Sequence, residues 1–246
     1  MPIVVQARGG IKTLRPKQLW PQLARGLLIL ASNFFNAIAV RHLPLTIFYI
    51  VIFTSPMLVA VMAAFFLRER LDWRKSLAIL TGFAGVIVAV NPMASAATGD
   101  WTGYAATMAG ALAFSVNIVW LRTMTQTESL ESLLFMASIV NAAGGFAPSL
   151  FNFKPLTMNA LAAVLGAGLF SVLGNLASFK ALRQAPAATV SQFHYTQIVT
   201  GAFVGYLIWG DVPTVHLIVG AIVIVASGLY IANHARKTAR APLAPE

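Results

Sequence analysis

His194 is the residue whose chemistry stands out first. It lies deep in an apolar run, where few side chains change charge near neutrality. The acidic residues are Glu69, Asp72, Asp100, Glu128, Glu131, Asp211 and Glu246, and all fall outside the apolar cores. Proton or cation coupling inside a membrane usually employs a carboxylate at depth. His194 is therefore the group left to exchange a proton or bind a solute. Its commoner use would be as a neutral ring hydrogen-bonded between helices. Cysteine is absent, so disulfides, cysteine zinc sites and thiol nucleophiles drop out. No metal-ligand spacing and no phosphate-cradling loop is present, so neither metal nor cofactor is expected, and direct use of ATP is not expected either.

Around His194 the helical period sorts the residues into two faces. Gln192, Tyr195, Thr196 and Val199 share one, and His194, Gln197, Gly201 and Gly205 share the other. Gly201 and Gly205 form a small-residue ridge of the kind that packs on another helix. The Gln192, Tyr195 and Thr196 face is thus expected to be the wet one, with Tyr195 mattering more than His194. Thr196 and its counterpart Thr54 could equally bond back to their own helices. Asn33 and Asn175 could face each other across a pathway, or act as interhelical glue. Asn36, Asn117, Asn141 and Ser178 are further polar groups inside spans. Tyr49 and Trp120 could stack on an aromatic or apolar solute, or belong to an interfacial belt. Trp101 and Trp209 fit the belt better.

The elements that must position these residues are membrane helices. Hydrophobic residues make up 58% of the chain and charged residues 10%. Soluble domains average about 45–50% and about 25%. A spanning helix needs about 20 mostly apolar residues. Eight such runs occur, at 22–40, 45–67, 76–92, 103–121, 132–152, 158–180, 187–209 and 214–233. Pro44 and Pro186 open the second and seventh, where a missing N–H costs nothing. The expected fold is an all-α, polytopic membrane helix bundle.

Counting along these spans puts fifteen of the seventeen Lys and Arg residues on the side that holds the N-terminus, here side A. Only Arg41 and Lys154 fall on side B. Positive charge collects in the cytoplasm, so both termini are expected there. The basic tails at 1–21 and 234–246 share that side. The net charge of +10 is explained the same way, and no nucleic-acid partner is expected.

The chain also repeats. At an offset of 142 residues, Asn33 meets Asn175, Arg41 meets Arg183, Pro44 meets Pro186, Thr54 meets Thr196 and Glu69 meets Asp211. The copies are 22–92, with three helices, and 101–233, with five. An odd number of helices inverts one copy against the other, an arrangement that favours a site near the midplane. The same offset starts the first copy about 41 residues before Met1. Two opening helices of a ten-helix plan are therefore expected to be missing, through a late gene start or a natural short form.

Certain residues carry a family resemblance. In the first copy these are Arg41-His42-Leu43-Pro44-Leu45, Ser55-Pro56, Phe66-Leu67-Arg68-Glu69-Arg70-Leu71, Trp73, Gly82 and Gly85. The second copy offers Ala185-Pro186, Trp209-Gly210-Asp211, Gly220 and Gly228, with Ile198 in place of the mid-helix proline. The pattern resembles EamA-type members of the drug/metabolite transporter superfamily over about 20–233. The resemblance implies a secondary transporter in a bacterial inner membrane. Its solute would be a small organic metabolite, riboflavin-like or amino-acid-like, moved by rocking of the two halves, and a homodimer would be a further expectation. Two other readings stand beside it: a non-transporting paralogue or assembly partner, and an integral-membrane enzyme, for which no carboxylate pair or histidine cluster is at hand.

Overall fold

A computed structural model describes residues 14–69, 72–91, 100–149, 157–210 and 212–240. Asp211 and Lys154, from the sequence reading, lie outside the described residues, as do the outer parts of both basic tails. The helices are α1 (Leu19–His42), α2 (Leu45–Ile52), α3 (Ser55–Phe66), α4 (Trp73–Val90), α5 (Trp101–Thr127), α6 (Leu130–Ser149), α7 (Met158–Gln184), α8 (Ala187–Ser191), α9 (Thr196–Trp209) and α10 (Val215–Arg240). A 3-10 turn, Gln192–Tyr195, joins α8 to α9. Two of the resulting eight rods are broken: α2 with α3, and α8 with α9. By length and composition, Leu19–His42, Ile47–Phe66, Trp73–Val90, Trp101–Thr127 and Ala160–Gln184 can each cross a membrane. Leu130–Phe146 and Val215–Ile231 are shorter apolar helices. The fold is the expected all-α membrane bundle.

The two breaks correct the expectation of continuous helices at 45–67 and 187–209. Pro56 has no N–H to give the carbonyl of Ile52. The Ser55 hydroxyl donates to that carbonyl instead, and Thr54 Oγ1 donates to Val51 O at 2.7 Å. Phe53 and Thr54 thereby leave the helix without stranding a polar group. The second rod has Ile198 where the first has its proline, yet it too departs from α-geometry, at Gln192–Tyr195.

The most extensive helix contacts are α1 with α5 and α4 with α10, followed by α1 with α6. Each joins a helix of the first half to one of the second, so the halves interlock. Small residues set the closeness. A Cβ added to Gly220 would stand 2.5 Å from Ala89 N and from Gly85 O. On the other side of the bundle Ser32 donates to Gly110 O at 3.0 Å, and a Cβ on Gly110 would meet Asn36 Oδ1 at 2.5 Å.

Two carboxylates tie the side A ends together. Glu69 accepts from Ala187 N at 2.9 Å and Ala188 N at 3.3 Å, capping α8 from the far end of the first half. Arg122 Nε lies 3.9 Å from the same carboxylate. Glu128 does the reciprocal task, accepting from Lys17 N at 3.1 Å and Gln18 N at 2.7 Å where α1 begins. On side B, His42 Nδ1 sits 3.3 Å from Asp100 Oδ2.

Two outcomes follow from this geometry. Glu69→Ala should lower stability by about 1–2 kcal/mol, the worth of a helix cap, with Glu69→Gln intermediate; thermal melts in detergent measure both. Gly220→Val should abolish the folded species, because backbone atoms of α4 cannot move aside; size-exclusion of the solubilised protein reads this directly.

Candidate functional site

The bundle holds a partly open cavity with a mixed polar and apolar lining, in two adjoining chambers that share Ser32, Asn33, Phe114 and His194. The chamber towards side A has a volume of about 450 Å³ and reaches Leu121, Leu134 and Phe179. The chamber towards side B, about 340 Å³, reaches Asn36, Tyr49 and Phe53. Both breaks border it, through Phe53, Ser55 and Pro56 on one rod and His194 on the other. Irregular backbone at membrane depth is tolerated where it lines such a cavity.

Amides and hydroxyls supply the polar lining. Asn33 Nδ2 donates to Asn141 Oδ1 at 2.9 Å, and Asn141 Nδ2 donates to Ala137 O at 2.9 Å. Asn175 Nδ2 donates to Ser171 Oγ at 3.3 Å. The His194 ring meets Phe114 edge-on, with centroids 5.2 Å apart. Among the described residues, no carboxylate lines either chamber. A second groove, about 470 Å³ between α4 and α10, is almost wholly apolar and gives a solute little to orient on.

The sequence-derived candidates divide cleanly. Asn33, Asn117, Asn175 and His194 line the larger chamber, and Tyr49 the smaller. The repeat-related Asn33 and Asn175 do share one cavity. Thr54 and Thr196 donate to Val51 O and Phe193 O, the self-bonding alternative. Trp120 packs against the α3–α5 core and lines an apolar groove with Met62 and Phe66.

The expected wet face of the seventh span is reversed. Tyr195 is 1% exposed and packs with Phe53, Val86 and Ile224 beside Gly82. Gln192 is buried as well and bonds to Ala188 O. His194 and Gln197 face the cavity. Nothing lies within 4 Å of a Cβ placed on Gly201, so the helix does not pack on a described neighbour at that position. The two faces keep the membership that the helical period gives them; what fails is the inference that the Gly201 face packs on a helix, since that position has no described neighbour.

Ser32, Ser138, Ser171 and Gln197 also line the cavity. A signal for them existed: Ser171, Asn175 and Ser178 follow i, i+4, i+7 spacing, and Ser138 with Asn141 follows i, i+3. Arg25, read only as a side A charge, is instead fully buried next to the cavity wall. It donates to Leu133 O at 2.7 Å and to Asn117 Oδ1 at 3.4 Å.

A multi-pass membrane bundle around a solute-sized polar cavity defines a transporter rather than an enzyme. The EamA-like transporter family model matches residues 1–91 and 101–233. The chain belongs to that family. It is 24% identical to an S-adenosylmethionine uptake transporter of Rickettsia bellii, covering 96% of this chain and 79% of that one. A riboflavin transporter of Rhizobium johnstonii is 26% identical, covering 96% and 77%. The pseudopaline exporter CntI of Pseudomonas aeruginosa is 24% identical over 82% of this chain and 70% of its own. One solved crystal structure superposes with a TM-score of 0.79 at 22% identity, over 96% of this chain and 83% of that one, a likeness of fold.

The corrected face has a direct consequence. The Tyr195 hydroxyl is buried and has no hydrogen-bond partner among the described residues. Tyr195→Phe should therefore leave stability unchanged or raise it by about 1 kcal/mol, since it removes an unpaired polar group. Denaturation in detergent measures this.

Proposed function

We propose that this protein is a secondary transporter that carries a small organic metabolite across the bacterial inner membrane by alternating access. The solute rests in the two-chamber cavity among Asn33, Asn117, Asn175, His194 and Tyr49. The observation that carries this reading is the cavity itself. It is polar, central and larger than packing requires, in a bundle whose outer faces are apolar. Similarity to transporters named for S-adenosylmethionine, riboflavin and pseudopaline supports a metabolite-sized cargo.

The two copies, 22–92 and 101–233, act in this reading as inverted repeats. In support, α2 and α8 both follow a proline, both break within a few turns, and begin at opposite ends of the bundle. Side A, with both termini, is the cytoplasmic side, supported by its share of Lys and Arg. The outward face of α7, with Leu165, Leu169 and Phe170 exposed, meets lipid or a second copy of the chain. His194 is the proton-responsive group, because no carboxylate among the described residues lines the cavity.

Proteoliposomes test this. Riboflavin and S-adenosylmethionine serve as the first labelled solutes, followed by a wider metabolite panel, in both directions and with or without a pH gradient. Movement of at least one solute is expected, with a rate that responds to the gradient. His194→Ala should slow it roughly tenfold, equivalent to about 1.4 kcal/mol, whereas Tyr195→Phe should not. A well-folded preparation that moves nothing sinks the reading.

A further inference from the structure

Arg25 is unusual in where it sits and in what it lacks. It lies six residues into α1, about 9 Å along the helix from its start. Its side chain is fully buried. Among the described residues no carboxylate pairs with it. Its partners are all neutral: Leu133 O at 2.7 Å, Asn117 Oδ1 at a long 3.4 Å, and the Phe179 ring 5.5 Å from the guanidinium carbon. Nε has no partner among the described residues. The other buried charge, Glu128, is engaged with the backbone of Lys17 and Gln18.

The neighbours decide what this charge can do. Asn117 and Phe179, which hold the guanidinium, also line the larger chamber. One layer of side chains therefore separates a whole positive charge from the cavity. With no carboxylate among the described lining residues, no opposite charge cancels its field in the chamber. A structural tie to Leu133 would need one donor, and arginine supplies five.

We propose that Arg25 and Asn117 form an oxyanion subsite at the side A end of the cavity, making it selective for solutes that carry a carboxylate or similar anionic group. The anion displaces the loosely held Asn117 carbonyl oxygen from Nη1 and takes up the unused Nε–H. The asparagine amide then turns to donate to the same group. This deepens the transport reading by naming the cargo's chemistry, and it rests on the cavity being the solute's path.

The absence of cysteine from the sequence allows a test that needs no known solute. Ser178→Cys places one thiol in the cavity wall beside Phe179. In liposomes of zwitterionic lipid, this thiol is reacted with a methanethiosulfonate reagent bearing a sulfonate and with one bearing an ammonium. The ratio of the two rates cancels the thiol's own ionisation. Relative to a free thiol in water, the ratio should favour the sulfonate roughly tenfold, and Arg25→Met should abolish the preference. The same ratio in both backgrounds overturns the proposal.

Should Arg25→Met fail to fold, Asn117→Asp decides. It supplies an internal anion, so the preference should vanish while thermal stability holds or rises. An unchanged ratio there also overturns the proposal. Adding phosphatidylglycerol separates two sources of the anion: a preference that persists supports a solute, and one that is lost assigns the subsite to a lipid headgroup and overturns the solute assignment. None of these measurements needs turnover. Absence of transport beside an intact anion preference would sink the transport reading and leave the subsite standing.

Discussion

Backbone polar groups at membrane depth have no water to fall back on, and the rest of this structure depends on that constraint. Six of the eight rods meet it with continuous helix. The two broken rods need particular side chains. Ser55 and Thr54 serve the carbonyls that Pro56 and the break would strand. Ser191 Oγ reaches Pro56 O at 3.5 Å from the other half, and Ser115 Oγ reaches Ser55 O at 3.3 Å. The breaks thus lie against one another through hydroxyl bridges. The bundle is polar where its backbone is irregular, and the cavity opens at that place.

The same constraint explains the side A ends. A helix starting after Pro186 exposes N–H groups with no intrahelical acceptor. Glu69 answers them from more than a hundred residues away, and Glu128 answers those of α1. A carboxylate at a helix N-terminus also meets the positive end of the helix dipole. Each half therefore closes a helix start belonging to the other. The interlocking of α1 with α5 and of α4 with α10 means that moving bodies need not follow the sequence halves. Any opening at side A must part the Glu69 and Glu128 contacts. Water can replace a carboxylate as acceptor there, so the exchange costs little compared with separating the close α4–α10 contact.

How much of this could be read in the sequence follows from which physics is local. Span number and approximate ends were legible, because apolar length is a property of each segment alone. Counting charges along the spans is local in the same way, but it cannot distinguish a solvated arginine from one folded into the bundle, as Arg25 is. The Asn33–Asn175 pairing was visible through the repeat, and both residues do reach the cavity. The 100° step sorted the seventh span into the right two faces, but which face packs depends on distant neighbours, and the small residue Gly201 meets none among the described residues while Tyr195 packs beside Gly82. The part of Glu69 as a cap for α8 was also hidden. Its partners are backbone groups 118 and 119 residues away, and no residue type marks them.

The empty cavity already bonds most of its own amides. Asn33 is engaged with Asn141, Asn175 with Ser171, and Asn117 with Arg25. A solute bound there, as proposed, would exchange these bonds rather than satisfy a set of orphans, and such exchanges are individually close to neutral in free energy. Affinity built this way stays moderate, which suits a site that must release what it holds on either side. Discrimination would come instead from incomplete exchange at Asn117, the buried one of the three, where an amide left unpaired costs about 1–3 kcal/mol. Asn36 shows the principle in reverse. Its Oδ1 is buried against Gly110 without a partner among the described residues, so the cost of an unpaired amide is present there before any solute arrives.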